Sequence, residues 1–276
     1  MLTKKQITFF NNNGYVKVKI FKKRELNKFK HELAKLIKVS LKINYPDFYN
    51  KIVRYNKKDD YFVHNGMFEL TKKNRQYLVN IYNQLPSSVD FYKLLSDKNI
   101  KYAVNQLLQR ESNSNLYVNA TTIRMDVPGI TPYVYGWHRD NNANIQDSNF
   151  IQLWAPIISN VNKKLGGLTI LSKSHGKNIK TDRSDREREL VRKLNMPSRP
   201  LLNAKIISKH SLKEKIITCE LGSVILFHNS LLHKSGVNKT KNKIRYVWAT
   251  FYHDLYSENW KFKLLNEKSS NSKLTK

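Results

Sequence analysis

Among eight histidines, one opens a His-x-Asp triplet, His138-Arg139-Asp140, directly after the aromatic run 132–137. Side chains at i and i+2 of a strand point to the same side, so this imidazole and carboxylate could face one metal ion. Taken alone, the triplet is also what a surface histidine beside a loop aspartate looks like. About ninety residues later, Gly222-Ser223-Val224-Ile225-Leu226-Phe227 reads as a buried strand opening into a segment that carries His228 and His233. Either histidine stands at a strand end where it could complete a ligand set.

The chain then returns through Arg245-Tyr246-Val247-Trp248-Ala249-Thr250-Phe251-Tyr252. This run is apolar on both faces, the pattern of a central strand. An arginine opening such a strand needs an anionic partner, and its rigid fork suits a carboxylate held at two points. The partner is either a ligand carboxylate or an acidic side chain of the chain itself.

The elements that must position these residues divide the chain at about residue 112. Thr3 caps a helix through Asn12, Gly14 offers a left-handed stop, and Tyr15-Val16-Lys17-Val18 alternates like a strand. From Lys23 to Ile43 the apolar residues Leu26, Phe29, Leu33, Leu36, Ile37 and Leu41 recur at helical spacing, with lysines on the outer face. Further helical patterns cover about 73–84, 88–95 and 98–108. Beyond Ser112 short β-branched and aromatic runs alternate with Gly, Pro and Asn, predicting strands over 116–126, 132–137, 150–158, 168–171, 214–220, 223–228 and 245–253.

Seven or more strands of this kind predict a jelly roll, so the fold class is α+β: a double-stranded β-helix core (112–256) with N-terminal helices (1–111) packed outside. We expect one domain over 1–265, a charged excursion near 176–210 whose part 180–195 could act as a lid, and a disordered Lys/Ser/Asn-rich tail at 266–276.

Composition bounds what this fold can serve. At 276 residues, with 40% hydrophobic and 11% aromatic side chains, the chain can bury a sizeable core. Its 50 Lys+Arg against 21 Asp+Glu give a formal net charge of +29, which favours anionic partners. Codon bias towards Lys, Asn and Ile is the other source of that excess. The lysines are scattered and aromatics are not interleaved with them in one stripe, which weighs against a nucleic-acid surface. The single cysteine, Cys219, excludes an intrachain disulfide and a cysteine-based zinc site. No leader or membrane span is expected, and the default location is the cytoplasm.

These motifs together resemble the phytanoyl-CoA dioxygenase-like branch of iron(II)/2-oxoglutarate oxygenases. The likeness begins at Phe9-Phe10 with Gly14-Tyr15-Val16 and passes through Trp137-His138-Arg139-Asp140, Phe150 to Pro156 and Gly166-Gly167-Leu168 with Ser174-His175. It ends at His233-Lys234-Ser235-Gly236 and Arg245. The resemblance implies that His138, Asp140 and His233 hold the metal, in preference to His228, and that Arg245 anchors the distal carboxylate of 2-oxoglutarate. It further implies that Ser235 supports that anchor and Trp154 walls the pocket. Two imidazoles and one carboxylate leave the other iron positions open, here for the 2-oxo acid and O₂. The chain departs from the family in carrying Arg139 where Gln is frequent, and in a turn between His233 and Arg245 one residue longer than usual.

The resemblance implies a hydroxylase that releases succinate and CO₂, because related halogenases replace the carboxylate at the Asp140 position with a small residue. Tyr133, Tyr135 and Trp137 lead into the triplet and could line the pocket, while Arg124 and Arg139 could hold an anionic group of a small or medium-sized metabolite. His175 reads as structural, and His253-Asp254 ends a strand without a partner motif. The alternative is a basic nucleic-acid-binding jelly-roll module, or a nucleic-acid dioxygenase, whose binding would weaken steeply with salt.

Overall fold

A computed structural model describes residues 1–55, 58–129, 136–140, 149–177, 179 and 212–255. The expectations for a strand at 132–135, a lid at 180–195 and a disordered tail at 266–276 lie outside the described residues.

The N-terminal part is helical, as the apolar spacing predicts. Helix α1 (Lys4–Asn13) starts in a capping box between Thr3 and Gln6, and ends at Gly14, whose φ of 81° lets its N–H reach the Phe10 carbonyl. Strand β1 (Tyr15–Lys19) leads to α2 (Lys23–Asn44), which buries Leu26, Phe29, Leu33, Ala34, Ile37 and Leu41. Then come α3 (Pro46–Tyr55), α4 (Asp59–Tyr61) running into a π-helical turn (Phe62–Gly66), α5 (Met67–Lys73), α6 (Arg75–Gln84), α7 (Val89–Leu95) and α8 (Lys98–Leu107). The helix predicted from residue 73 thus begins one turn-break later. Asn74 is extended and its side chain accepts from the Gln76 N–H at 2.8 Å, so it ends α5 and caps α6.

The remaining strands are β2 (Tyr117–Asp126), β3 (Asn149–Pro156), β4 (Leu168–Leu171), β5 (Glu214–Ile217), β6 (Ser223–His228), β7 (His233–Lys234) and β8 (Arg245–Asp254). They form a five-stranded sheet in the order β1-β6-β3-β8-β2 and a three-stranded sheet in the order β5-β4-β7, with antiparallel pairing throughout. This is the predicted jelly-roll core with helices outside it.

Strand β8 lies between β3 and β2, so both of its faces are covered, as its apolar run requires. Because side chains alternate, Tyr246, Trp248 and Tyr252 turn to the helices while Arg245, Val247, Ala249 and Phe251 turn to the second sheet. On the helix side the Phe91 and Trp248 rings meet edge to face at 5.2 Å, and the hydroxyls of Tyr246 and Tyr252 donate to the carbonyls of Val63 and Leu95 at 2.5 and 2.7 Å. That core joins Phe29, Leu33, Ile37 and Phe62 to Val16, Leu226, Leu153 and Ile123 of the sheet. A second core of Tyr15, Trp154, Leu168, Ile170, Ile217, Ile225, Phe227 and Val247 fills the space between the two sheets.

Candidate metal centre

The space between the sheets is not filled along its whole length. A cavity of about 150 Å³ remains, lined by His138, Asp140, His233, Arg124, Gln152, Trp154, Phe227, Ser235, Gly236 and Arg245 among others. Register explains why residues so far apart in sequence meet there. Gln152 pairs with Phe227 and Phe251, Trp154 with Ile225 and Ala249, Arg124 with Val247, and Asp126 with Arg245. Paired residues of neighbouring strands share a face, so each of these pairs points at the minor sheet.

His233 belongs to that minor sheet, pairing with Ile170 of β4. His138 joins it through an isolated antiparallel bridge in which each residue's N–H donates to the other's carbonyl, at 3.0 and 3.1 Å. The two rings lie 4.2 Å apart between centroids. Asp140 is placed beside them by a loop and not by a continuing strand, so the shared-face argument from i and i+2 gives the right neighbours by a different route. Asp140 Oδ1 is 3.9 Å from His138 Nε2, and Oδ2 is 3.4 Å from His233 Nε2. The three ligating atoms lie within 4.8 Å of one another, and all three residues are buried.

The donor set fits a divalent metal. His138 Nδ1 donates to the Gly136 carbonyl at 2.7 Å and His233 Nδ1 to the Leu231 carbonyl at 3.0 Å. A carbonyl can only accept, so each neutral ring carries its proton on Nδ1 and turns the lone pair of Nε2 towards Asp140. Phe227 packs edge-on to His233 at 5.0 Å and holds its ring plane.

Arg245, which also lines the cavity, is buried at 2% exposure. Its Nε donates to Asp126 Oδ2 at 2.9 Å, with Nη2 2.8 Å from the same oxygen, and Nη1 donates to the carbonyls of Gly166 and Gly236. The glycines make that close approach possible. Gly166 has φ +92° and a Cβ there would meet Arg245 Nη1 at 2.5 Å, while a Cβ on Gly236 would collide with the Gly167 carbonyl. Both partner classes open in the sequence are therefore present around Arg245: an acidic side chain of the chain itself, and a cavity able to hold a ligand.

The other sequence candidates are sorted by position. Ser235, Trp154 and Arg124 line the cavity. Arg139 is not among its lining residues. Its guanidinium donates instead to the carbonyls of Ile179, Ser174 and Lys177 at 3.2, 2.8 and 2.9 Å, bracing that segment, and burial pushes its pKa down. Tyr133 and Tyr135 lie outside the described residues. Trp137 packs against Leu171, Ile179 and Leu232 and lies under the Lys234 ammonium at 4.4 Å, in a small core of its own.

His228, the rival third ligand, alternates away from Phe227. Its Nδ1 accepts from the Ser230 N–H at 3.1 Å, and burial, with help from His175 and Arg139, lowers its pKa to about 4. His175 donates to the Asn11 carbonyl at 3.0 Å and does not line the cavity. His253, buried against Phe150 and Phe251, has its pKa lowered by burial to about 4.

Two residues, Gln152 of the cavity lining and Asp126 behind Arg245, carry no sequence signal that singles them out. Asp126 ends β2 beside Arg245, and a lone aspartate before Val-Pro-Gly reads as turn chemistry. Gln152 sits mid-strand at 2% exposure with its Nε2 buried and without a hydrogen-bond partner among the described residues.

In comparison with known families, the one described as phytanoyl-CoA dioxygenase (PhyH) matches residues 10–247. Among curated proteins, none matches the chain by sequence. Similar solved structures include the epimerase SnoN in complex with Fe3+, alpha ketoglutarate and nogalamycin RO, at 13% identity and TM-score 0.57, covering 91% of this chain and 83% of that one. EctD from S. alaskensis with 2-oxoglutarate and 5-hydroxyectoine gives 14% identity and TM-score 0.55, covering 92% and 77%. The non-heme alpha ketoglutarate dependent carbocyclase SnoK from nogalamycin biosynthesis gives 14% and 0.55, covering 92% and 84%. At these identities the likeness is one of fold.

Proposed function

Because the chain belongs to the phytanoyl-CoA dioxygenase family of non-haem iron, 2-oxoglutarate-dependent oxygenases, we propose that it hydroxylates a small or medium-sized anionic metabolite. The observation that carries this reading is the meeting of His138 Nε2, His233 Nε2 and the Asp140 carboxylate in a cavity that Arg245 also lines. Bound iron(II) and 2-oxoglutarate would supply, with O₂, an oxidative decarboxylation to succinate and CO₂ coupled to oxygen insertion into a substrate C–H bond.

The chain's own residues prepare that chemistry. The carbonyls of Gly136 and Leu231 hold the protons of both histidines on Nδ1, so that Nε2 is ready to bind. Asp140 contributes the single negative charge of the ligand set, and its carboxylate keeps the position that a halide would need. Arg245 and Ser235 supply the cationic and hydroxyl groups for the distal carboxylate of the co-substrate. Trp154 and Phe227 form apolar walls that keep water from the reacting atoms. At about 150 Å³ the cavity is smaller than the range of about 300–1,000 Å³ for drug-sized ligands, which matches a small dicarboxylate.

An anionic substrate is favoured by the net charge of +29 and by Arg124 at the cavity wall. Among the described residues no helix is long and apolar enough to cross a membrane. Burial raises the thiol pKa of Cys219 to about 12, an inert thiol consistent with the reducing cytoplasm in which we place the enzyme.

The test is succinate formation from 2-oxoglutarate by the full chain under iron(II) and O₂, compared with Asp140→Ala. The variant should lose the activity. Undiminished turnover would remove Asp140 from the metal site and the reading with it.

A further inference from the structure

Where the helical layer meets the start of β8 lies a second cavity, of about 310 Å³, which shares no lining residue with the one around His138, Asp140 and His233. Its walls come from the π-helical turn (His64, Asn65), the segment after β3 (Ser159), the turn before β8 (Asn242, Lys243) and Asp60 of α4, among others. That volume sits at the lower end of the range of about 300–1,000 Å³ for small-molecule sites.

His64 sets what the cavity can take. It is buried at 6% exposure, and its Nδ1 accepts from the Ile244 N–H at 3.2 Å. The neutral ring must then carry its proton on Nε2. Burial lowers its pKa to about 4, so the ring is neutral at pH 7. The Nε2–H has no acceptor among the described residues, and the ring edge that bears it is turned away from Ile244, the edge able to face the cavity. Leaving a buried donor unmet is costly, so it marks the place of a ligand acceptor.

The groups around His64 are donors as well. Asn65 and Asn242 offer amides, Ser159 a hydroxyl and Lys243, exposed at the rim, an ammonium. The acidic lining residue, Asp60, has its Oδ1 2.9 Å from the Lys30 ammonium. Donors converging from three segments suit an oxyanion, whereas a hard metal ion would need convergent oxygen acceptors. The geometry points to a second ligand site here, for a phosphate group carried as the free ion or as the monoester of a small polyol. His64 Nε2–H and Lys243 Nζ are its principal donors. The tetrahedral oxygens of a phosphate can meet donors that arrive from several directions, and a planar carboxylate meets them in one plane.

The experiment titrates the full chain at constant ionic strength with inorganic phosphate and with glycerol 3-phosphate, by calorimetry and by the ¹H–¹³C spectrum of labelled histidine rings. The His64 resonance, identified by its loss in His64→Asn, should move as either probe saturates the site. His64→Asn keeps an acceptor near the Nδ1 position for the Ile244 N–H and lacks the Nε2 donor. It should weaken binding by about tenfold, and its thermal midpoint reports that the fold is intact. Lys243→Gln, on an exposed turn, should weaken binding by about threefold, the smaller effect of a screened charge. Lys28→Gln, on the exposed face of α2, should change nothing. Tighter binding of phosphate assigns the free ion, and tighter binding of glycerol 3-phosphate assigns the ester. Unchanged affinity in both His64→Asn and Lys243→Gln would overturn the site, as would a His64 resonance that stays in place while phosphate binds. A loss in Lys28→Gln equal to that in Lys243→Gln would also overturn it, by reducing the binding to the overall charge of the chain, and so would a failure of both probes to bind.

Discussion

His138 and His233 exchange both backbone hydrogen bonds across a single antiparallel bridge, at 3.0 and 3.1 Å. The two rings of the proposed metal site are thereby set side by side by the backbone, with each Nδ1 tied to a carbonyl two residues earlier in its own segment. Preorganisation of this kind means that metal binding needs little rearrangement of the ligands, so its free energy appears as added stability of the folded chain. Mn(II) alone should raise the thermal midpoint of the protein, with saturation at one equivalent. Asp140→Ala and His233→Ala should remove the rise while retaining the fold, as followed by scanning calorimetry. An undiminished rise in both variants would locate the ion elsewhere.

Arg245 depends on two glycines, Gly166 and Gly236, as much as on Asp126. Gly166→Ala introduces a Cβ at φ +92° and against Nη1, and Gly236→Ala drives one into the Gly167 carbonyl. Each should cost about 1–3 kcal/mol of stability, through backbone strain at Gly166 and through overpacking at Gly236, and should weaken 2-oxoglutarate binding by displacing the guanidinium. Gly129, with φ +77° but no atom within 4 Å of an added Cβ, is the control: Gly129→Ala should leave co-substrate binding unchanged. Urea denaturation and equilibrium titration of the same three variants separate the two effects.

Much of this was legible in the sequence, for identifiable reasons. The two-sided apolar run of Arg245–Tyr252 could only be a covered strand, and it is. The Thr3–Gln6 box and Gly14 mark both ends of α1. What the sequence hid were relationships that depend on register. Asp126 meets Arg245 because β2 and β8 pair in one frame, and a shift of one residue would turn the carboxylate to the helices. Arg139 looked available to substrate because it sits between His138 and Asp140, yet the loop geometry turns it to three backbone carbonyls. Helix α3 and the π-helical turn at 62–66 have few strong helix formers among their tyrosines, asparagines and β-branched residues. The π-helical turn is held by tertiary packing, with Phe62 and Val63 at 0% exposure, and α3 by the burial of Ile52.

Gln152 offers a stability test of the cavity. Its amide Nε2 is buried without a hydrogen-bond partner among the described residues, between Phe227 and Phe251 on the cavity face. An unsatisfied buried donor costs about 1–3 kcal/mol. Gln152→Met keeps the length of the side chain and removes the donor, so the metal-free protein should unfold at a higher urea concentration than the unaltered chain. A lower midpoint would mean that the amide already has a partner in solution.

His64 ties the helical layer to the start of β8, its Nδ1 accepting from the Ile244 N–H at 3.2 Å beside Tyr246. Burial lowers its pKa from 6.5 to about 4, with Lys243 and Lys30 acting in the same direction and Asp60 opposing. The folded form thus resists a proton that the unfolded chain accepts below about pH 6.5. Between those values the unfolded state binds more protons, so stability falls as pH decreases and this contribution is fully lost once pH passes below about 4. His64→Leu removes the titrating group, at the cost of leaving the Ile244 N–H without its acceptor. It should therefore lower the thermal midpoint at pH 7 and flatten the decline of that midpoint between pH 6.5 and 4.5. His228 and His253, also lowered to about 4 by burial, keep the residual slope above zero. An unchanged slope in the variant would show that His64 titrates alike in both states.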